Sequence, residues 1–162
     1  MTGTRLDRSS PRGLERLAKS LAESAQISFD EHRAILFAQK SKESITRMRS
    51  VYREFAKNLD ERTQVTQGVE VLLDNFYIVE GALTDLLVSW RRKITLRIPQ
   101  SVDSEGKKLP RTYIVARTLI KETDARIDRE TIVEFLTAYQ KDAPLSLREL
   151  DIFPDMLRFA LV

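Results

Sequence analysis

The sequence predicts an all-α fold of five or six helices, and three observations carry that expectation. Apolar residues recur three and four apart over most of the chain, the period of helices that each turn one face to a core. Only five Gly and five Pro punctuate 162 residues, too few for the many turns of a β-rich protein. Apolar residues supply 42% of the chain and charged residues 31%, a balance that suits packed amphipathic helices and argues against disorder. A chain of this length fits one ordinary domain. Residues 13–162 are therefore read as a single helical domain behind a flexible leader at 1–12, with N-terminal helices in 13–62 and core helices in 66–162.

The leader is polar and contains Gly3, Ser9, Ser10 and Pro11, and a first helix starts after Pro11. Leu14, Leu17 and Leu21, with Ala18, Ala22 and Ala25 beside them, give it a narrow apolar stripe that ends near Gln26. Ser28 and Glu31 have capping-box spacing, so a second helix is expected from Ser28 to about Arg62. Its apolar rhythm runs through Ile45, Met48, Val51 or Tyr52, Phe55 and Leu59, whereas 38–44 offers almost no large apolar group. At 1.5 Å per residue such a helix would extend about 50 Å, which predicts a bend near 39–43 or a projecting arm through which two copies could pair.

Thr66–Arg92 carries the widest stripe, Val69, Leu72, Leu73, Phe76, Val79, Leu83, Leu86, Leu87 and Trp90, and should be the central helix. Gly81 interrupts it, which suggests close approach of a neighbouring helix. Ile94, Leu96 and Ile98 alternate with Thr95 and Arg97 as an extended segment near 94–98 that Pro99 should stop, and 101–108 reads as a mobile polar loop. Three helices follow, near 111–122, 129–141 and 147–162. The last has the clearest start: Ser146 and Glu149 form a capping box, and Leu145 and Leu150 stand as a hydrophobic staple. Pro154 should kink or restart that helix. The expected core is Leu72, Leu73, Phe76, Val79, Leu83, Ile114, Leu119, Ile132, Phe135, Leu136, Leu150 and Leu157.

Composition narrows the chemistry. There is no Cys, so disulfides, thiolate metal sites and cysteine nucleophiles are excluded, and the lone His32 cannot build a histidine metal site unaided. No run approaches the roughly 18–20 apolar residues of a membrane span. Net charge is +3, concentrated at the front: residues 1–62 hold 13 Lys/Arg against 9 Asp/Glu, the remainder 14 against 15. Acids interrupt the basic residues throughout, which fits a solvated helix face better than a nucleic-acid surface. No phosphate loop, Ser-His-Asp constellation or HExxH pattern occurs, so no catalytic, cofactor or metal residue is assigned.

The residues best placed for contact are Glu70, Asp74, Asn75, Arg111 and Tyr113. Glu70 and Asp74 are four apart on the central helix and would repel without a cation, which Arg111 or Arg117 could supply. Two carboxylates can flank a glycosidic bond, but a salt-bridged helix face explains the same pair. Tyr77, Trp90, Tyr113 and Tyr139 could stack on sugars, yet their helical spacing fits packing with the polar tip satisfied at the domain edge.

Four segments, E-V-L-L-D-N-F-Y-I-V-E (70–80), L-P-R-T-Y-I-V-A (109–116), D-A-R-I-D-R-E (124–130) and F-L-T-A-Y-Q-K-D-A-P-L-S-L-R-E-L (135–150), together resemble the N-terminal helical region of cyclic β-1,2-glucan synthases, over about residues 66–162. Residues 1–62 fit only loosely. Family members commonly carry Trp just before L-L-D-N and after the second E-L, where this chain has Val71 and Asp151. The resemblance implies a parent that transfers glucose from UDP-glucose, with this piece on the cytoplasmic side of the inner membrane and soluble by itself. Neither catalytic region of that family is present, so the implied role is a non-catalytic scaffold whose partner is the rest of the synthase. The alternatives are a module that binds the glucan and a free-standing helical adaptor. The apolar ending Phe159-Ala160-Leu161-Val162 without a cap is read as a cut within a larger protein, and Phe159, Leu161 and Val162 as lacking a surface to pack on.

Overall fold

The structure is a computed structural model that describes residues 10–58, 77, 80–81, 84–85, 88 and 98–161, without the side chains of 31–35, 38, 41, 55–56 and 58. It is mostly α-helical with one small sheet. Its elements are α1 (Pro11–Glu23), β1 (Ser28–Phe29), α2 (Glu31–Asn58), β2 (Pro99–Val102), β3 (Lys108–Pro110), α3 (Arg111–Glu122), α4 (Arg129–Gln140) and α5 (Leu147–Leu161). The chain divides into two compact units, Met1–Ala34 with Leu96–Val162, and Ile35–Thr95.

In the first unit α1 starts where Pro11 can occupy the first helical position without losing a bond, and Ser10 caps it by accepting from Gly13 N at 3.2 Å. Its buried stripe is Leu14, Ala18 and Ala22, and the small alanines let it lie against α4. Ser28 does not cap a helix. It pairs with Gln100, and Phe29 with Pro99, while Gln100 Nε2 donates to Asp30 O at 2.7 Å, so α2 begins three residues later than expected.

Strand structure is present from Pro99 onward, where the extended segment was expected to stop. Residues 94–97 are outside the described set, and Pro99 opens β2, a position where its missing N–H disturbs no ladder. β2 pairs antiparallel with β3, Gln100 with Pro110 and Val102 with Lys108, giving the sheet order β1-β2-β3. The expected mobile loop 101–108 is thus a hairpin. Asp103 organises it: Oδ1 accepts from Glu105 N at 2.9 Å and Lys107 N at 2.8 Å, and Gly106 takes φ +76°, where a side chain would be strained.

β3 runs directly into α3, which packs on α5 and on β2. α3 ends without glycine: Asp124 and Ala125 both adopt positive φ, 53° and 60°, held by Ala125 N donating to Ile120 O at 2.9 Å. Ile114, Leu119, Phe135 and Leu157 are buried as expected, whereas Ile132, Leu136 and Leu150 are half-buried. Ile98, Val115, Tyr139, Ile152, Phe153 and Met156 are among the other buried residues. Pro154 neither breaks nor restarts α5, which runs unbroken from Leu147 to Leu161. Pro154 faces outward while Ile152, Phe153, Met156 and Leu157 are buried, so packing holds the helix through one lost bond. Phe159, expected to lack a packing surface, is 7% exposed, and Leu161 is exposed.

In the second unit Ile45 is fully buried, Met48 and Tyr52 half-buried and Val51 exposed, which settles Tyr52 on the inward face. Gln39, Lys40, Lys42 and Glu43 are exposed, as their lack of large apolar groups predicts. α2 crosses them as one helix. Glu80 Oε1 receives Arg53 Nη2 at 3.1 Å and lies 3.6 Å from Arg49 Nε, and Arg49 also donates to Thr84 Oγ1. Contacts that fall in number on one side as they rise on the other set α2 antiparallel to the helical residues around 80–84. The core positions Leu72, Leu73, Phe76, Val79 and Leu83, and Trp90, lie outside the described residues. Tyr77 is 72% exposed, against the packed position expected. Gly81 is exposed, and among the described residues nothing lies within 4 Å of the position a Cβ would take.

Candidate functional site

Two polar constellations form in the first unit, both around α3. The first is buried. Arg111, the opening residue of α3, donates through Nε to Glu149 Oε1 at 2.6 Å and through Nη2 to Glu149 Oε2 at 2.7 Å, a bidentate pair. Nη2 also reaches Pro144 O at 2.8 Å. Glu149 sits in the first turn of α5, where the expected capping box is present: its amide donates to Ser146 Oγ at 3.3 Å, and Oε2 accepts from Ser146 N at 2.9 Å. One carboxylate therefore ends a helix cap and neutralises an arginine. Leu145 is buried and Leu150 half-buried beside it.

The side chains of Arg111 and Glu149 are 5% and 1% exposed, so this pair is out of solvent. Burial opposes ionisation of Glu149 more strongly than any other influence, yet hydrogen bonds from Arg111 and from Ser146 N hold its carboxyl below the usual glutamate range. Burial likewise pushes the Tyr139 phenol up, against the pull of Arg111. Arg111, named with Arg117 as a cation that could offset Glu70 and Asp74, is committed to Glu149, thirty-eight residues away in sequence, which no local spacing announces.

The second constellation surrounds an open cleft of about 710 Å³ between α1, the β2–β3 hairpin and α3. Its apolar floor is Leu17, Leu21, Val102 and Ile114; Ser24, Gln26, Thr118, Lys121 and Glu122 supply hydrogen-bonding groups. Asp103 and Arg117 fix its wall. Arg117 Nη2 donates to Asp103 Oδ2 at 2.9 Å, and the guanidinium carbon lies 5.9 Å from the centre of the Tyr113 ring. Burial works against the Asp103 charge, and the loop amide of Lys107 and the Arg117 guanidinium reverse the balance, lowering its carboxyl. The sequence reading missed this cleft because it treated 101–108 as a loop. The signal was present as D-S-E-G, an acid that closes a turn followed by glycine at the left-handed position.

Of the five candidate contact residues, Glu70, Asp74 and Asn75 lie outside the described residues. Arg111 is buried, and Tyr113 is half-buried beside Arg117 rather than joined to Arg111 at a surface. Among the described residues no group of three His, Cys, Asp or Glu could hold a metal, and no helix is long and apolar enough to cross a membrane.

Both carboxyls make the first unit acid-sensitive. A carboxyl whose folded value lies below its ordinary one contributes stability fully above the ordinary value and loses it as pH falls through the folded one. Unfolding midpoints in urea should therefore hold between pH 7 and 5 and fall progressively below the ordinary values of 4.5 for Glu149 and 3.8 for Asp103. A midpoint flat to pH 3 would contradict the assignment.

Fold and site together define a small, mostly α-helical segment in which Arg111 and Glu149 are buried against one another. No known family model matches the chain. It is similar to the cyclic β-(1,2)-glucan synthase NdvB of Rhizobium meliloti strain 1021, 27% identical over 143 residues. That stretch is 88% of this chain and 5% of NdvB, so the chain spans a small fraction of the relative it matches. A match of this length cannot fit within 66–162 and reaches back into the front helices, which extends the likeness beyond the segments that first suggested it.

Proposed function

We propose that the chain acts as a non-catalytic scaffold in a cyclic β-1,2-glucan synthase-like system, docked on the remainder of a synthase that transfers glucose from UDP-glucose at the cytoplasmic face of the inner membrane. The observation that carries this reading is the similarity to one segment of NdvB over 88% of the chain. The geometry is compatible with it: the two strongest carboxylate clusters, Glu149 with Arg111 and Asp103 with Arg117, are closed on structural partners, which leaves them poorly placed as an acid and base pair. Pairing of two copies through α2 belongs to the same proposal and is read by sedimentation.

The test is association and complementation. NdvB from which the matching segment has been deleted should bind the purified chain and recover glucan synthesis when it is supplied separately. The chain alone, given UDP-glucose and β-1,2-gluco-oligosaccharides, should leave both unchanged. Failure to bind the truncated synthase would favour a free-standing adaptor, and turnover that survives repurification would overturn the non-catalytic role.

A further inference from the structure

The cleft beside α3 has a chemistry that the scaffold reading leaves unused. Its volume of about 710 Å³ falls within the roughly 300–1,000 Å³ typical of small-molecule sites. Its charges are largely self-neutralised: Arg117 is bound to Asp103, and Glu105 is bound by Lys107 at 2.6 Å. Lys121 and Glu122, also on its rim, are of opposite sign. An anion would meet Glu122 and Glu105, and a cation would meet Lys121 and Arg117, so neither charge is favoured. What the lining offers is a mixture of donors and acceptors, the amide of Gln26, the hydroxyl of Thr118 and the lone pairs of Ser24 Oγ, which donates its own proton to Leu21 O at 3.1 Å, above an aliphatic floor. That pattern matches a ligand with hydroxyl groups around its edge and C–H groups on its face.

We propose that this cleft, lined by Ser24, Gln26, Thr118, Lys121 and Glu122 over Leu17 and Leu21, binds an uncharged oligosaccharide. A neutral peptide also carries donors and acceptors. The peptide is disfavoured because an extended segment gains most of its affinity from a free strand edge or an apolar groove with side-chain pockets, and this cleft is open and rimmed by polar groups. Arg111, being buried and bound to Glu149, cannot serve this site.

Asp103 and Arg117 act as positioning residues. The carboxylate is tied to two hairpin amides and to the guanidinium, which fixes the hairpin and α3 as opposite walls of the cleft before a ligand arrives. A fixed wall lowers the ordering cost of a weak polar site.

The probe is a linear β-1,2-gluco-oligosaccharide titrated into the full chain and followed by amide NMR, with a cello-oligosaccharide, glycerol and a neutral polyserine peptide as parallel titrants. Saturable shifts at millimolar sugar, confined to 24–26, 102–105 and 114–122, are expected. Gln26→Ala and Lys121→Ala are exposed positions whose loss leaves the fold intact, and each should weaken binding by about five-fold, the effect of one hydrogen bond. Saturation by either sugar supports the site, and a response to the β-1,2 linkage alone supports it as linkage-selective. No shifts at tens of millimolar, shifts outside the cleft, equal response to glycerol, saturation by the peptide alone, or affinity unchanged in both variants would overturn it. Sugar binding by the free chain is measured without the synthase, so its failure is distinct from failure of the docking proposal.

Discussion

Replacing Glu149 with alanine should destabilise the first unit by about 3–5 kcal/mol, the cost of leaving a buried charge without its partner. Arg111 would keep one acceptor, Pro144 O, in a position where its side chain is 5% exposed. Arginine does not shed its proton, so it cannot escape the loss by neutralising. The same substitution removes the acid half of the cap on α5, a smaller part of the effect, since cap losses are typically about 1 kcal/mol. Glu149→Gln keeps the shape but not the charge, and should fall between wild type and alanine. The double variant Arg111→Met with Glu149→Leu should recover most of the loss, because a buried ion pair is often replaceable by apolar groups of similar volume. Urea unfolding of the four proteins checks this. A single alanine variant with an unchanged midpoint would show that the pair is hydrated, and a double variant as unstable as the single would show that the cap, not the charge, carries the effect.

The two halves of this tie differ in how visible they were. The capping box at Ser146 and Glu149 was legible because helix capping is local: donor and acceptor are three residues apart, and the spacing fixes their geometry. That the same glutamate would receive Arg111 was not legible, since only the packing of α3 on α5 brings them together.

The sheet was legible only in part. Alternation at Ile94, Leu96 and Ile98 marked an extended segment whose residues 94–97 lie outside the described set, and among the described residues a strand starts at Pro99, where the segment was expected to stop. Its neighbours are a three-residue strand and a two-residue strand, and elements so short carry no periodicity. The polar composition of 101–108 concealed a hairpin because its order comes from one side chain, Asp103, bonding to its own loop. The restart expected at Pro154 does not occur. Its ring does remove a helix bond, but four buried neighbours on one face outweigh that loss.

Phe135→Ala should lower stability by about 3–5 kcal/mol, comparable with loss of the ion pair but through a different cause. Phe135 is 1% exposed on α4, and with Leu14 and Ala138 it borders a depression of about 360 Å³ between α4 and α1. α1 brings two small residues, Ala18 and Ala22, to this contact with Leu14, so little side-chain volume stands ready to move into the space. A site that cannot collapse lies at the costly end of the range for large-to-small changes. Phe135→Leu, which keeps most of the volume, should cost about 1–2 kcal/mol. Val133, two residues away and 54% exposed, gives the control: Val133→Ala should stay within about 0.5 kcal/mol of wild type. Hydrogen exchange locates the effect, because α1 is held chiefly by α4 and its amides from Leu14 to Ala22 should lose protection before those of α3 and α5. Equal loss of protection across all four helices would mean that the unit unfolds as one body, and a Phe135→Ala protein as stable as Val133→Ala would mean that α1 does not depend on this ring.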